Sequence, residues 1–448
     1  MAYINSKLLL NSAAGLALSC AFSMSAFAQS NTTDACQDGN QSSTLADSLQ
    51  CGDGAHATGE RSTAIGDNAS AVLDDTTAVG AFSFAGPEGA SAFGANAMAE
   101  AVNATAIGRN AAALGDKSTA IGGGDTPNSA ATATGVSAVA IGSGFSLQAG
   151  ADASGERSVS IGSTSQATGI NSTAIGVRSE ATDDFATAIG RDTKASAIST
   201  TAIGQSAAAS ANFATAIGYD SVASALKANA IGFDSEASAS GTNAVGSRSL
   251  ANDLNATAIG ERAEATARYT SAVGSNTRAM GQGSVALGGG ITQANAAEAQ
   301  MDGGIAIGGQ FGGFSGAKST AQAAIAIGSL SEANGTNSTA VGADSDAQGP
   351  GASAFGNQAS AIGSLSTAVG WQAQTNSAGS NAFGQRSSAT GNFSTAVGTS
   401  SVTNGLGALA MGYHAEALTR NAIASGSFAS STTEESAIAI GGGRVAGE

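Results

Sequence analysis

The apolar and polar positions of this chain follow one short rule. A Thr or Ser, an Ala, a large apolar residue and a Gly recur in that order, as in Ser172-Thr173-Ala174-Ile175-Gly176. The closing glycines run from Gly66 to Gly441, and 26 copies can be counted. Most of these glycines fall at every fourteenth position. The steps Gly122–Gly142–Gly162 and Gly288–Gly308–Gly328 take 20 each, and the last, Gly426 to Gly441, takes 15. A short period held this strictly marks a repeat architecture, which grows by adding coils rather than by enlarging a core.

With the glycine as position zero, residue −1 is Ile, Val, Phe, Leu or Met in 25 of 26 copies, Ser425 being the exception. Residue −2 is Ala except at Ser160, and residue −3 is most often Thr or Ser. Successive residues of a strand point to opposite sides. One side therefore carries a large apolar group and the other an Ala, and the strand reads as covered on both faces. Gly tolerates backbone angles that a side chain forbids, so it ends the strand. Two variable, often polar residues follow, such as Asp67-Asn68 and Arg191-Asp192, as the exposed corner of a turn. A second alternation of small residues at +3 and +5 (Ser179 and Ala181, Ser345 and Ala347) predicts a narrower strand. Two strands and two turns within one repeat make one flat coil. The expected fold is all-β: a parallel β-roll or solenoid of about 26 short coils, continuing both sheets at about 4.8 Å per coil. The residues at −1 should stack as a continuous ladder. So small a coil has little room inside, so the Ala column is expected to meet another chain, in a homo-oligomer packed along the coil axis.

Composition narrows the function. There are 63 Gly, 3 Pro and 4% aromatic residues, which disfavours a thick globular core. The formal net charge of −16 offers no basic face for phosphate backbones, so nucleic acid is not an expected partner. The acidic balance more simply keeps an Ala-rich surface soluble.

Residues 1–28 read as an export signal. Lys7 precedes an apolar run from Leu8, and Ala26-Phe27-Ala28 gives an A-x-A cleavage site. A permanent membrane anchor is the rival reading, disfavoured by Asn11, Ser12 and Ser19. Cys20 leaves with the signal. Exported cysteines can oxidise, so Cys36 and Cys51 either bridge and staple an N-terminal cap or remain two free thiols. The chain thus divides into a signal (1–28), a leader or cap (29–56) and a β-roll head (57–448), with insertion modules at 122–162 and 288–328.

No catalytic, cofactor or metal site is expected. His56 and His414 stand far apart in the repeat, and no motif pairs a base with a serine nucleophile. Gly122-Gly123-Gly124-Asp125 is a lone partial match to a calcium-binding repeat and reads as a Gly-rich turn. Tyr219, Phe233, Trp371 and Tyr413 occupy the exposed turn column. Such aromatics either anchor a binding partner or shield a turn or a groove between chains. The insertion modules are further candidates, for recognition or as spacers.

The periodic pattern S-x-A-[IV]-G-x-x-[SA]-x-A behind an export signal resembles the head of trimeric autotransporter adhesins, the YadA-type head, over about Ala57 to the end. The resemblance implies a left-handed parallel β-roll with three chains per head, at a Gram-negative cell surface. It implies attachment to host matrix proteins, other cells or abiotic surfaces. Some such heads link N-S-V-A-I-G-x-x-S repeats to collagen binding. Here Asn171 to Gly176 with Ser179, and Asn337 to Gly342 with Ser345, carry Thr for Val, and collagen is not supported. The family continues into a coiled-coil stalk and a β-barrel anchor, and neither is visible. Gly441-Gly442-Gly443 looks like the opening of a third insertion module, so the chain is read as a fragment of a longer adhesin, or else as a secreted head. Membrane contact is expected only through that missing anchor. Other readings are weaker. Hexapeptide acyltransferases build longer, triangular coils and need a catalytic His. An ice- or mineral-binding solenoid needs a regular Thr array, which Val139, Val159, Asn229, Asn243, Ile305 and Ile325 interrupt. A phage fibre would not carry the export signal.

Overall fold

The structure, a computed structural model, describes residues 36–38, 47–144 and 148–442. The export signal expected at 1–28 and the tail at 443–448 lie outside the described residues. The chain falls into two compact units, Met1–Ser206 and Ala207–Glu448.

In the first unit three-residue strands stack in parallel from Leu49–Cys51 to Thr201–Ile203. Each residue pairs with its own repeat mate: Thr173 with Thr187, Ala174 with Ala188, Ile175 with Ile189. Two-residue strands such as Glu180–Ala181 and Lys194–Ala195 stack in the same way. The second unit does likewise, with three-residue strands from Thr215–Ile217 to Ile438–Ile440 and two-residue strands from Ala208–Ala209 to Ser430–Ser431. We call these the Ile sheet and the narrow sheet, and one coil a rung. The parallel β-solenoid and its period are as the sequence predicts.

The direction of the Ala column is not. Four columns point inward, at −4, −2, +3 and +5. In the rung closed by Gly190 they are Ala186, Ala188, Thr193 and Ala195, all fully buried within their own coil. The Ala column therefore meets its own roll rather than another chain. The reason is volume. Short turns join the two sheets and bring them so close that only Ala, Ser or Thr fits between them. Among the described residues threonine is the largest side chain fully buried. The Ile ladder forms in register, but on the outer face, where Ile175 and Ile189 are half-buried and Phe93 is 40% exposed.

Small polar residues are tolerated inside because the turns supply acceptors. The Ser179 hydroxyl donates to the Gly176 carbonyl at 2.9 Å and the Thr270 hydroxyl to the Ala267 carbonyl at 2.6 Å. Each reaches three residues back, a local bond well suited to these side chains. Both turns of a rung also hold a residue at positive φ, as at Asn68 (+54°) and Asn171 (+57°). Asn and Asp enter this region most readily among non-glycine residues. Gly zero is doubly constrained. Gly176 has φ +131°, and a Cβ there would lie 2.3 Å from the Gly190 carbonyl oxygen of the next rung.

Two departures from simple repetition matter below. The ladder starts at Leu49–Cys51, inside the expected leader, because Gly52 stands one full period before Gly66. Strand Cys36–Asp38 then pairs with Leu49–Cys51 in antiparallel fashion. In the 20-residue steps, the extra residues enter the turn after Gly zero. Ala131 donates to the Gly122 carbonyl at 3.0 Å, as Ala69 does to Gly66 at 3.2 Å. The inward columns are kept, and the added chain leaves as loops that include the 3-10 turns Pro127–Ser129 and Gln293–Asn295.

Candidate functional site

Inward residues are spent on packing, so four outer surfaces remain, two sheet faces and two turn edges. The first is the outer face of the Ile sheet, where columns −3 and −1 run side by side. In the first unit Phe93 and Ile107 are exposed along it, and in the second Ile231, Ile259, Leu287, Phe355, Phe383 and Met411. Exposed apolar residues aligned in one column form a patch, unlike singly scattered surface residues.

The second is the edge formed by the turn after Gly zero. The four aromatics singled out from the sequence all lie there, within the second unit. Tyr219 and Phe233 occupy consecutive rungs and stack, with ring centroids 5.4 Å apart and planes 10° from parallel. The Arg248 guanidinium lies 5.4 Å from the Phe233 ring centroid. Trp371 stands apart from that pair and is covered by Arg386 at 4.6 Å. Tyr413 meets His414 edge-on at 4.3 Å and Phe428 edge-on at 5.2 Å. The structure therefore joins Tyr219 with Phe233, and leaves Trp371 and Tyr413 as separate points on the same edge. Stacked and cation-covered rings are rigid, which lowers the entropy lost on binding.

Sequence reasoning missed other exposed rings. Phe185, Phe213, Tyr269 and Phe393 occupy the opposite turn, the third surface, at positive φ. The insertion loops of the second unit carry Ile291, Phe311 and Phe314, with Phe311 77% exposed. The Phe314 N–H donates to the Phe311 carbonyl at 3.0 Å across Gly312 and Gly313, both at positive φ. The signal was available: two glycines between two phenylalanines suit a tight turn.

The fourth surface is the outer face of the narrow sheet, which is polar and irregular. Arg278 sits between Glu264 at 3.5 Å and Glu298 at 3.3 Å, and Gln293 from an insertion loop donates to Glu264. Burial pushes the Asp152 and Asp346 carboxyls above the usual carboxylate range. On the turns, hydrogen bonds from Arg61 and Arg178 hold Asp75 and Asp192 below it. Among the described residues no group of three or more His, Cys, Asp or Glu could hold a metal ion, and no helix is long and apolar enough to cross a membrane.

A stacked roll with a sealed small-residue core, an apolar outer strip and aromatic turns defines a parallel β-solenoid whose variable residues lie on its outside. A family model described as YadA head domain repeat (2 copies) matches residues 52–69, 57–83, 99–124, 153–179, 167–193, 195–221, 251–277, 265–290, 316–345, 347–366, 378–401 and 404–429. These segments cover more than half of the chain, which belongs to the YadA head repeat family. It is a non-catalytic adhesin-type scaffold, and its family implies an extracellular or surface location. A comparison with curated proteins found no match.

Proposed function

We propose that the chain is the head of a homotrimeric bacterial adhesin that attaches cells to host matrix, to other cells or to abiotic surfaces. The observation that carries this is the outer strip of the Ile sheet. Fully burying an Ile contributes roughly 1.5–3 kcal/mol, and a half-exposed one leaves about half of that unused. The deficit recurs on nearly every rung, Ser425 marking the exception, so a partner presenting the same column gains with each apolar rung added. Three copies of this chain, axes parallel, supply that partner. The aromatic edge with Tyr219, Phe233, Trp371 and Tyr413 then faces outward as the adhesive surface. An ice- or mineral-binding role would use the Thr column at −3, but that column shares its face with the apolar strip and is broken at Asn229 and Asn243.

Sedimentation equilibrium of the exported chain tests the assembly, with the mass of three chains expected and that of one chain contrary. Adhesion of bacteria displaying the head to matrix-coated and bare plastic tests the edge. The Tyr219→Ser, Phe233→Ser, Trp371→Ser, Tyr413→Ser variant should keep its mass and lose at least tenfold in attached cells.

A further inference from the structure

The starting end of the roll is built unlike any later rung. The first strand of a parallel stack has an open edge, and an open edge of N–H and C=O groups accepts whatever strand arrives. Here Cys36–Asp38 lies on it, with Cys36 opposite Cys51, Gln37 opposite Gln50 and Asp38 opposite Leu49. The rungs that follow pair in parallel, Leu49 with Thr63 and Thr63 with Thr77.

The narrow sheet is finished by a different device. His56 and Thr58 donate to Ala69 and Ala71 of the following rung, so the Ala57 N–H points away from it. Gln50 Oε1 accepts that N–H at 3.0 Å. Gln50 holds the −2 place, opposite Ala64 in the ladder, where later rungs carry Ala or, at Ser160, Ser. Among the described residues no rung precedes this one, so a long amide fits where it would clash elsewhere. Both sheets are thus closed at their start, one by a strand and one by a side chain. Cys51 is disulfide-bonded.

We propose that Cys51 is bonded to Cys36 and that this bridge is an oxidation-dependent latch on the end of the roll. Closed, it holds the antiparallel strand over the Ile-sheet edge and excludes a second copy of the chain. Open, a three-residue strand is held by few bonds, and an isolated pair that short is marginal. The edge then accepts a strand from a second copy, and rolls join end to end. In closing, the two thiols give up two protons and two electrons to a disulfide oxidant of the thiol-exchange class, which leaves as its dithiol, and one S–S bond forms. A dithiol reductant reverses each step. Disulfides persist in oxidising compartments, so the latch closes on export.

The full-length exported chain tests this without fragments. Peptide mapping of the oxidised protein should recover Cys36 joined to Cys51, and recovery of Cys51 joined to another cysteine overturns the proposal. Dithiothreitol, or the Cys36→Ser, Cys51→Ser double variant, should speed hydrogen exchange at Leu49–Cys51 at least tenfold and leave Thr173–Ile175 unchanged. Sedimentation should then show multiples of the oxidised mass. Exchange and mass equal to those of the oxidised protein overturn the latch, and faster exchange at unchanged mass overturns its end-sealing role. Gln50→Ala, with the bridge intact, separates the two closures: exchange should quicken at Ala57 and not at Leu49–Cys51.

Discussion

The two outer faces of each rung share one interior and differ in almost everything else. Behind both lie the same Ala, Ser and Thr columns, fully buried. In front, the −1 column of the Ile sheet keeps Ile, Val, Phe, Leu or Met in every counted repeat but the one with Ser425, whereas the +4 column of the narrow sheet reads Ser70, Phe84, Met98, Ala112, Thr132, Asp152, Gln166 and Glu180 without a rule. The narrow face shows that the fold itself asks little of an outward residue. Regularity on the Ile face therefore asks for a cause outside the single coil, and the proposed assembly of copies along that face would supply one. The largest expected effects should come from breaking that face. Ile175→Asp, Ile189→Asp and Ile203→Asp place three carboxylates on consecutive rungs. Each would be buried in an assembly, at a cost of several kcal/mol per ion. Loss of the oligomer is expected in sedimentation, while Thr132→Asp and Gln166→Asp on the narrow face should leave the mass unchanged.

A second contrast lies within one strand. Ala188 points inward and is fully buried, and Thr187 beside it is half-exposed on the outer face. Ala188→Leu forces extra carbons between two sheets that touch at Cβ, and overpacking of this kind costs about 1–3 kcal/mol or more. Thr187→Leu leaves the inside of the coil untouched and adds its carbons to the face proposed to meet other copies, so it should lower the melt less than Ala188→Leu. Thermal melts followed by circular dichroism would rank the two, and equal melts would refute the inward assignment of the Ala column.

Much of this was legible in the sequence, and for a definite reason. Period, strand length, the closing Gly and the Ile ladder are all local patterns, and each of the repeats restates them. The inside was not legible, because alternation says that Ala174 and Ile175 point apart but not which of them points into the coil. The tightness of the turns decides that. The first rung was hidden for the opposite reason: Gln50 and Cys51 replace the Ala and Ile of the rule, and they do so because this rung closes the end. Among the exposed aromatics, Tyr219, Phe233, Trp371 and Tyr413 were read from one turn column. Phe185 and Phe213 were missed because their column also holds Arg157, Asn171 and Ser199, which carry no common chemistry.

The irregular narrow face has its own internal difference, between charges that the fold half-buries and charges that it leaves in water. Arg278 has a side-chain exposure of 30% and Glu298 of 11%, so their pair is partly desolvated. Arg278→Ala leaves Glu298 without its partner and should cost about 1–2 kcal/mol, less than for a fully buried pair. Arg61→Ala removes a well-aligned partner of Asp75 at 2.6 Å, but in full solvent, and no change in melting is expected beyond error. Comparable losses from the two variants would mean that the Glu264–Arg278–Glu298 row does not anchor the insertion loop that Gln293 ties to it.

The last effect expected is small and has the least ordinary sign. Asp346 heads the narrow strand Asp346–Ala347, and its Oδ1 is buried without a hydrogen bond, while Gln348 donates to Oδ2 at 2.6 Å. Burial raises its pKa first, the Gln348 bond opposes that, and the carboxylates of Glu332 and Asp344 add to the rise. The folded chain thus binds this proton more tightly than the unfolded chain. Between the two pKa values the native state holds more protons, so stability falls as pH rises through the carboxylate range, and the penalty is complete above the folded value. Asp346→Asn should therefore stabilise the second unit at neutral pH, by less than about 1 kcal/mol because the group is half in solvent. Its melting temperature should converge with that of the parent as pH falls below the unfolded carboxylate pKa. Asp75→Asn should behave in the opposite sense, since Arg61 lowers that carboxyl: any loss should appear at neutral pH and vanish on acidification. A pair of melting curves across pH that ran parallel for both variants would show that neither carboxyl is coupled to folding.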